Sequence, residues 1–451
     1  MLTALVVDNF KSYRGEETLP LAEMTVLIGS NASGKSNLLE ALRLLSWLAR
    51  GRRLSEIVYA LKERQLDVRG PFARMAHDGE SGFSLAGYIG SDVGPDICVF
   101  VHFGVSEEGL QIFGEWACLM EGPPTSSVYW PEGLLYESDA ESWAEKDFAY
   151  SGTLSVSYNT FGEGALDNVI TCTSQQALFT QLTTPARFGK EHKKAQELIP
   201  RAAKQIQAAL ESILFLDPVP HRMRDYSFTV ERTLQGDGSN LSAVLYDLCE
   251  KQQRKAEVLA FVRSLPEQNI LDLTFLSGPR GEVMVQLTES FGGNEQTYEA
   301  ALLSDGTLRV LAVAAALHSV PEGALVVVEE IDNGVHPTRA KLLLDNIQRV
   351  ARERKLRVLL TTHNPALLDA IPVDAIPDVV ACYRDPKEGD SRLMPLSQLQ
   401  DYPELVAQGP VGQLVTRGIL ERYLKSPKGP EEKAAQAQKV LEMLQSPAGE
   451  P

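Results

Sequence analysis

An apolar run, Thr25-Val-Leu-Ile28, passes directly into Gly29-Ser30-Asn31-Ala32-Ser33-Gly34-Lys35-Ser36-Asn37. Two glycines bracket four residues and are followed by Lys-Ser, the spacing of a phosphate-binding loop set between a strand and a helix. The glycines let the chain curl until successive N–H groups and the next helix N-terminus converge on one point, which favours a β-phosphate. Lys35 is placed to reach the β- and γ-oxygens as a point charge, and the Ser36 hydroxyl to ligate Mg²⁺. Residues Gly29 to Asn37 are therefore expected to bind a nucleoside triphosphate on an α/β sheet.

A second group of features lies near the other end. Ser304-Asp305-Gly306-Thr307 opens an apolar helical stretch, Leu308–Leu317. Leu325-Val-Val-Val328 reads as a buried strand and ends in Glu329 and Glu330. Asn333-Gly334-Val335-His336 precedes a helical stretch reaching Val350, and Leu356–Thr362 gives another buried strand ending at His363. Strand, helix and strand, with polar groups at the carboxyl ends of the strands, is how open α/β sheets build nucleotide sites.

These motifs resemble the ABC-type ATPase head shared by the SMC, RecF and OLD (overcoming lysogenization defect) families. In that resemblance Gly29–Ser36 is Walker A, Ser304–Thr307 the signature loop and Val326–Glu330 Walker B. Asn333, Gly334 and His336 belong to the D-loop, and Thr361–Pro365 carries the switch histidine, His363. Asn9-Phe-Lys-Ser-Tyr13 and Asp237-Gly-Ser-Asn-Leu241 further resemble a bacterial predicted-ATPase group that includes, or lies near, ATPase subunits of Septu- and PARIS-type anti-phage systems. The resemblance leaves 105–190 unmatched. The chain departs from the transporter-like pattern at Glu329, where Asp is usual, and at Asp305, where a signature glycine is usual. Glu-Glu is common in the OLD-like branch. Gln65 is a candidate for the Q-loop residue, which the sequence leaves unresolved.

The resemblance implies a fold and a mechanism. The fold is an ABC-type P-loop head with a mixed sheet lobe, a β-rich insertion, a short helical lid and no long coiled coil. Two chains would sandwich two ATP molecules, as a homodimer or higher oligomer, with Ser304, Asp305, Gly306 and Thr307 acting in trans. Ser36 and Glu329 would hold Mg²⁺, Glu330 would polarise the attacking water, and His363 would sense the γ-phosphate.

The chain has 451 residues with 44% apolar content, enough for two or three lobes. Residues 1–104 read as the Walker A half of the head, 105–190 as a β-rich insertion, and 191–265 as a helical insertion or lid. Residues 266–425 read as the second half of the head, and 426–451 as a charged, partly disordered tail. The apolar stretch near 308–328 is broken by His318 and Pro321, so no membrane span is expected. Five scattered cysteines make no Cys-x-x-Cys pair and read as reduced thiols of a cytoplasmic protein. A net charge of −17 argues against a surface that grips DNA all round. DNA contact stays open at two local basic patches, Arg50–Arg53 and Lys190–Lys204.

Only 88 residues follow His363, too few for a TOPRIM nuclease module beside the last elements of the head, so such a nuclease is expected on a separate chain. Asp385, Glu388 and Asp390 cluster in what reads as a hairpin turn. The leading expectation is an ATPase that regulates a separate effector in anti-phage defence. The alternatives are a RecF-like DNA-repair or DNA-clamping ATPase and a nucleotide-gated scaffold with little turnover.

Overall fold

A computed structural model describes residues 1–63, 65–91, 94–106, 109–120, 133–138, 152–162, 166–263, 269–332, 337–399 and 401–425. Its centre is a six-stranded sheet in the order Leu214–Leu216, Leu325–Val328, Arg357–Thr361, Met24–Ile28, Val379–Arg384, Ser391–Pro395. The first five strands run parallel, and the last pairs antiparallel with its neighbour through the 385–390 hairpin. The inner strands Leu325–Val328 and Met24–Ile28 are buried along their whole length, which is why they read as nearly continuous apolar runs. Successive side chains alternate sides: Leu27, Val327 and Leu359 enter one core, while Val26, Val328 and Leu360 enter the other.

The first core is shared with an eight-stranded antiparallel sheet. Its order is Glu17–Pro20, Leu2–Asp8, Gly82–Ile89, Asp96–Ser106, Gly109–Met120, Leu134–Ser138, Thr153–Tyr158, Asn168–Thr173. The expected boundary at 104/105 falls inside the strand Asp96–Ser106. Residues 105–190 are β-rich, but their strands extend the sheet of the N-terminal lobe. Asp96–Ser106 pairs with both neighbours along its length, with one register shift at His102/Phe103 against Gly109–Met120, and this pairing is the reason.

Residues 191–265 differ from a projecting lid. The helix Lys193–Glu211 buries Ala195, Ile199, Ala202, Ala203, Ile206 and Leu210 in the core that also holds Leu38, Leu42 and Leu45 of the Walker A helix. An apolar stripe at this spacing needs a partner surface, and the body of the head supplies it. Each fully buried leucine there stabilises by roughly 2 kcal/mol. Leu214–Leu216 then becomes the edge strand beside Walker B, and Leu241–Tyr246 and Lys255–Arg263 pack in the second core with the helix Asp305–Ser319. Among the described residues no helix is long and apolar enough to cross a membrane, and the longest helix, Lys193–Glu211, has 19 residues, so no long coiled coil is present there.

Candidate nucleotide site

Walker A leaves the buried strand Met24–Ile28 and turns into the helix Lys35–Ala49. Gly34, the residue before that helix, has φ of 120°, and a Cβ there would lie 2.3 Å from Ser391 Oγ. Only glycine fits. Having no side chain, it gives the helix no side-chain cap, and the first turn carries no acidic residue. An uncapped N-terminus of this kind favours an anion.

The back of the loop is held from three directions. The Cys382 thiol donates to the Ser33 carbonyl at 3.3 Å, and the Arg384 guanidinium to the Ala32 carbonyl at 2.9 Å. The Tyr13 hydroxyl donates to the Gly34 carbonyl at 3.1 Å. Ser391 Oγ donates to the Ser33 carbonyl at 2.6 Å and lies 2.7 Å from Ser12 Oγ, which also accepts from Asn37 at 2.7 Å. The Asn9–Tyr13 motif is therefore the wall on which the loop rests. Lys35 Nζ donates to the Gly29 and Ser30 carbonyls at 2.6 and 3.0 Å. Burial lowers its pKa, while Cys382 and Glu330 pull the other way. Ser30, Asn31, Ala32 and Ser36 are exposed at the mouth.

Strand order brings the other motifs to the same edge. The strand ending at Thr361 lies between the Walker A and Walker B strands, so the carboxyl ends carrying Gly29, His363 and Glu329-Glu330 are neighbours. Glu330 is exposed and adopts φ of 47°, a left-handed conformation costing a non-glycine residue about 1 kcal/mol. Its N–H donates to Thr361 Oγ1 at 3.0 Å. The Thr362 hydroxyl donates to Asp332 at 2.7 Å and ties the switch strand to the Walker B turn. His363 itself is exposed.

Glu329 is half-buried and ion-paired with Arg43, a residue of the Walker A helix. Burial raises the Glu329 pKa, Arg43 opposes the rise, and Asp217, Asp67 and Glu330 add to it. Asp217 is likewise raised by burial. The sequence reading missed Arg43, Asp67 and Asp217. Arg43 follows Ser36 by seven residues, two helical turns, and so shares its face; that spacing was the available signal. Beyond Arg43 opens a cavity of about 720 Å³, lined by Trp47, Gln65, Asp67, Phe215, Asp217 and Arg222 among others. Gln65 lines this cavity together with Arg43 and Asp217.

These residues fit a Mg²⁺–ATP complex. The loop is an uncapped helix end backed by a lysine, Ser36 is open at its first turn, and Glu329 and Glu330 stand on a neighbouring strand. Among the described residues no three His, Cys, Asp or Glu side chains form a cage of their own. Mg²⁺ in such sites keeps waters and takes substrate oxygens, with few protein ligands. When bound, the cation would supply charge neutralisation at the phosphates.

The signature loop is built differently. Ser304 is exposed and caps the helix Asp305–Ser319, its Oγ accepting from the Thr307 N–H at 3.1 Å. Asp305 pairs with Arg224 at 2.5 Å, and the same guanidinium donates to the Leu303 carbonyl at 2.7 Å. Gly306 is half-buried and Thr307 buried. Asn333, Gly334 and His336 lie outside the described residues, as does 426–451. The Asp237–Leu241 motif is a packed turn in which Asp237 accepts from the Ser239 N–H at 2.9 Å and Asn240 donates to the Thr233 carbonyl at 2.9 Å. The 385–390 segment is the expected hairpin turn, closed by Asp385 accepting from the Lys387 and Glu388 N–H groups.

Residues 180–369 match a family model for an AAA domain whose description also names an AbiEii toxin of a Type IV TA system. Residues 1–65 match a model for an AAA ATPase domain. An 88-residue segment is 35% identical to structural maintenance of chromosomes protein 1 of Arabidopsis thaliana, covering 18% of this chain and 7% of that protein. Another, of 82 residues, is 43% identical to the DNA replication and repair protein RecF of a Synechococcus species, covering 17% and 21%. The chain thus matches under a quarter of the length of either relative. An SMC head bound to the C-winged helix domain of ScpA aligns at 11% identity over 87% of this chain and 97% of that one, with a TM-score of 0.48. The SMC head domain from Thermotoga maritima aligns at 11% identity over 87% and 98%, with a TM-score of 0.41.

Proposed function

Since the chain belongs to the SMC/RecF-like ATPases, we propose that it binds and hydrolyses ATP with Mg²⁺ and uses the cycle to close and open a dimer. The observation that carries this reading is the Walker A loop itself. It is an uncapped helix end, buttressed from behind by Tyr13, Cys382, Arg384 and Ser391, with Glu329, Glu330 and His363 on the adjoining strand ends. Lys35 engages the β- and γ-phosphates, and Ser36 and Glu329 serve the cation. Glu330, held in a strained turn at the open edge, orients the attacking water. His363 reads the γ-phosphate. The exposed Ser304 helix end faces the partner's nucleotide in the dimer, where its dipole adds to the attraction for phosphate.

The output of the cycle is control of a separate effector in anti-phage defence, such as a TOPRIM-type nuclease on another chain. The family description naming a toxin of a Type IV TA system supports a defence setting. A DNA-clamping role is the second reading, favoured by the 43% identity to a RecF segment and by exposed Arg52, Arg53, Lys193, Lys194, Arg201 and Lys204. The test is co-purification of tagged Glu330→Gln with its genomic neighbours under ATP, Mg²⁺ and high salt. A stoichiometric protein effector supports the first output, and nuclease-sensitive DNA alone supports the second.

A further inference from the structure

The ion pair between the helix after Walker A and Walker B has no place in the mechanism above. Arg43 Nη2 holds Glu329, and its Nη1 holds Asp67 Oδ2 at 2.8 Å. Its guanidinium carbon stands 5.1 Å from the centre of the Phe215 ring, which belongs to the strand beside Walker B. One planar cation therefore bridges two carboxylates and lies over an aromatic face, a combination that a lysine cannot reproduce. Asp217 and Glu330 add to the negative charge felt by Glu329. Glu329 is the same carboxylate that the cation side of the nucleotide site requires. Arg43 and a divalent cation thus compete for one partner.

We propose that Arg43 is a positioning residue that clamps Glu329 together with Asp67 and so sets the Mg²⁺ concentration at which the site takes up ATP. The inference rests on the Mg²⁺–ATP reading of the site. Asp67 tunes the clamp: by sharing the guanidinium it weakens the hold on Glu329. Arg43 and Asp67 both line the 720 Å³ cavity, which gives the guanidinium room to withdraw when the cation arrives.

The test uses the full chain and two readouts, the ATP-dependent rise in melting temperature and steady-state hydrolysis, each titrated with Mg²⁺. Arg43→Met should lower the half-saturating Mg²⁺ about tenfold, the scale of one charge pair at a partly exposed site. Asp67→Asn should raise it about threefold, because Arg43 then serves Glu329 alone. In the double variant the Asp67 effect should shrink to the direct influence of its charge on Glu329, well below its size in the presence of Arg43. Arg43→Lys keeps the charge but not the bridge and should fall between wild type and Arg43→Met; it stands in if Arg43→Met does not fold. An unchanged or raised Mg²⁺ requirement in Arg43→Met or its stand-in overturns the clamp, as does an Asp67 effect that is undiminished in the double variant. Lys35→Ala separates the two levels. If its ATP response equals that of wild type, the nucleotide site itself is wrong and the clamp falls with it. If Lys35→Ala is silent while Arg43→Met leaves the Mg²⁺ requirement unchanged, the clamp alone is wrong.

Discussion

Two helices of 15 residues begin at the edges of the two halves of the head, and their N-termini are opposites. Lys35–Ala49 starts after Gly34, without a side-chain cap or an acidic residue in its first turn. Asp305–Ser319 starts after Ser304, which caps it, and carries Asp305 paired with Arg224. A free-standing helix gains from the second arrangement. The first gives up that gain and leaves its N–H groups to a ligand. The contrast separates a residue serving stability from one serving binding, which motif matching alone does not do. Ser304 does both jobs in the proposed dimer, since the hydroxyl that caps the helix also marks the surface offered to the partner.

Substitutions at either helix start should have different consequences. Lys35→Ala has the largest expected effect: loss of ATP binding, measured with a fluorescent nucleotide, with the fold intact by circular dichroism. Gly34→Ala should come next, abolishing binding and destabilising the chain by more than about 1 kcal/mol, because its Cβ meets Ser391 in a left-handed backbone. Retained ATP affinity in Gly34→Ala would mean that the loop is not the rigid cradle described. Ser304→Ala should cost about 1 kcal/mol in chemical denaturation through the lost cap, with the chain's own ATP affinity unchanged. A large loss of affinity there would place Ser304 at its own chain's nucleotide.

A third helix end sharpens the contrast. Leu178–Gln181 is capped from another element: Glu115, buried in the antiparallel sheet, accepts from the Leu178 and Phe179 N–H groups and from the Tyr136 hydroxyl. Burial pushes its carboxyl up to about 7, with those three donors pulling the other way. The folded chain then keeps a proton there that the unfolded chain, with an ordinary glutamate near 4.5, has released. Stability should therefore be greatest below about pH 4.5, as far as this group alone decides, and decline as pH rises to about 7. Glu115→Gln should flatten that slope in pH-dependent melting. It is the smallest effect of the set.

Much of this was legible in the sequence because it is local. The phosphate-binding loop, the Glu329-Glu330 strand end, the apolar strands and the Asp385 turn are each written in a few consecutive residues. What was not legible depends on which surfaces meet. Residues 193–211 show their amphipathic stripe plainly, yet nothing in the chain says that the stripe packs beside the Walker A helix and does not project as a lid. Residues 105–190 show strands and turns, but pairing of Asp96–Ser106 with Gly109–Met120 makes them an extension of the first lobe. Ser391 and Cys382 support a loop more than 340 positions away. Arg43 was half legible, since its helical spacing from Ser36 can be counted, but its partners Glu329 and Asp67 come from the fold.

In the proposed cycle ATP joins two of these chains across paired sites, and hydrolysis at Glu330 opens them. The most direct test is the molar mass of Glu330→Gln by light scattering with and without Mg²⁺–ATP. Its mass should shift to that of the dimer or a larger assembly with ATP, with no shift in Lys35→Ala and reversal in the wild type as ATP is consumed. A Glu330→Gln chain whose mass ignores ATP, or one that hydrolyses ATP at the wild-type rate, would contradict it.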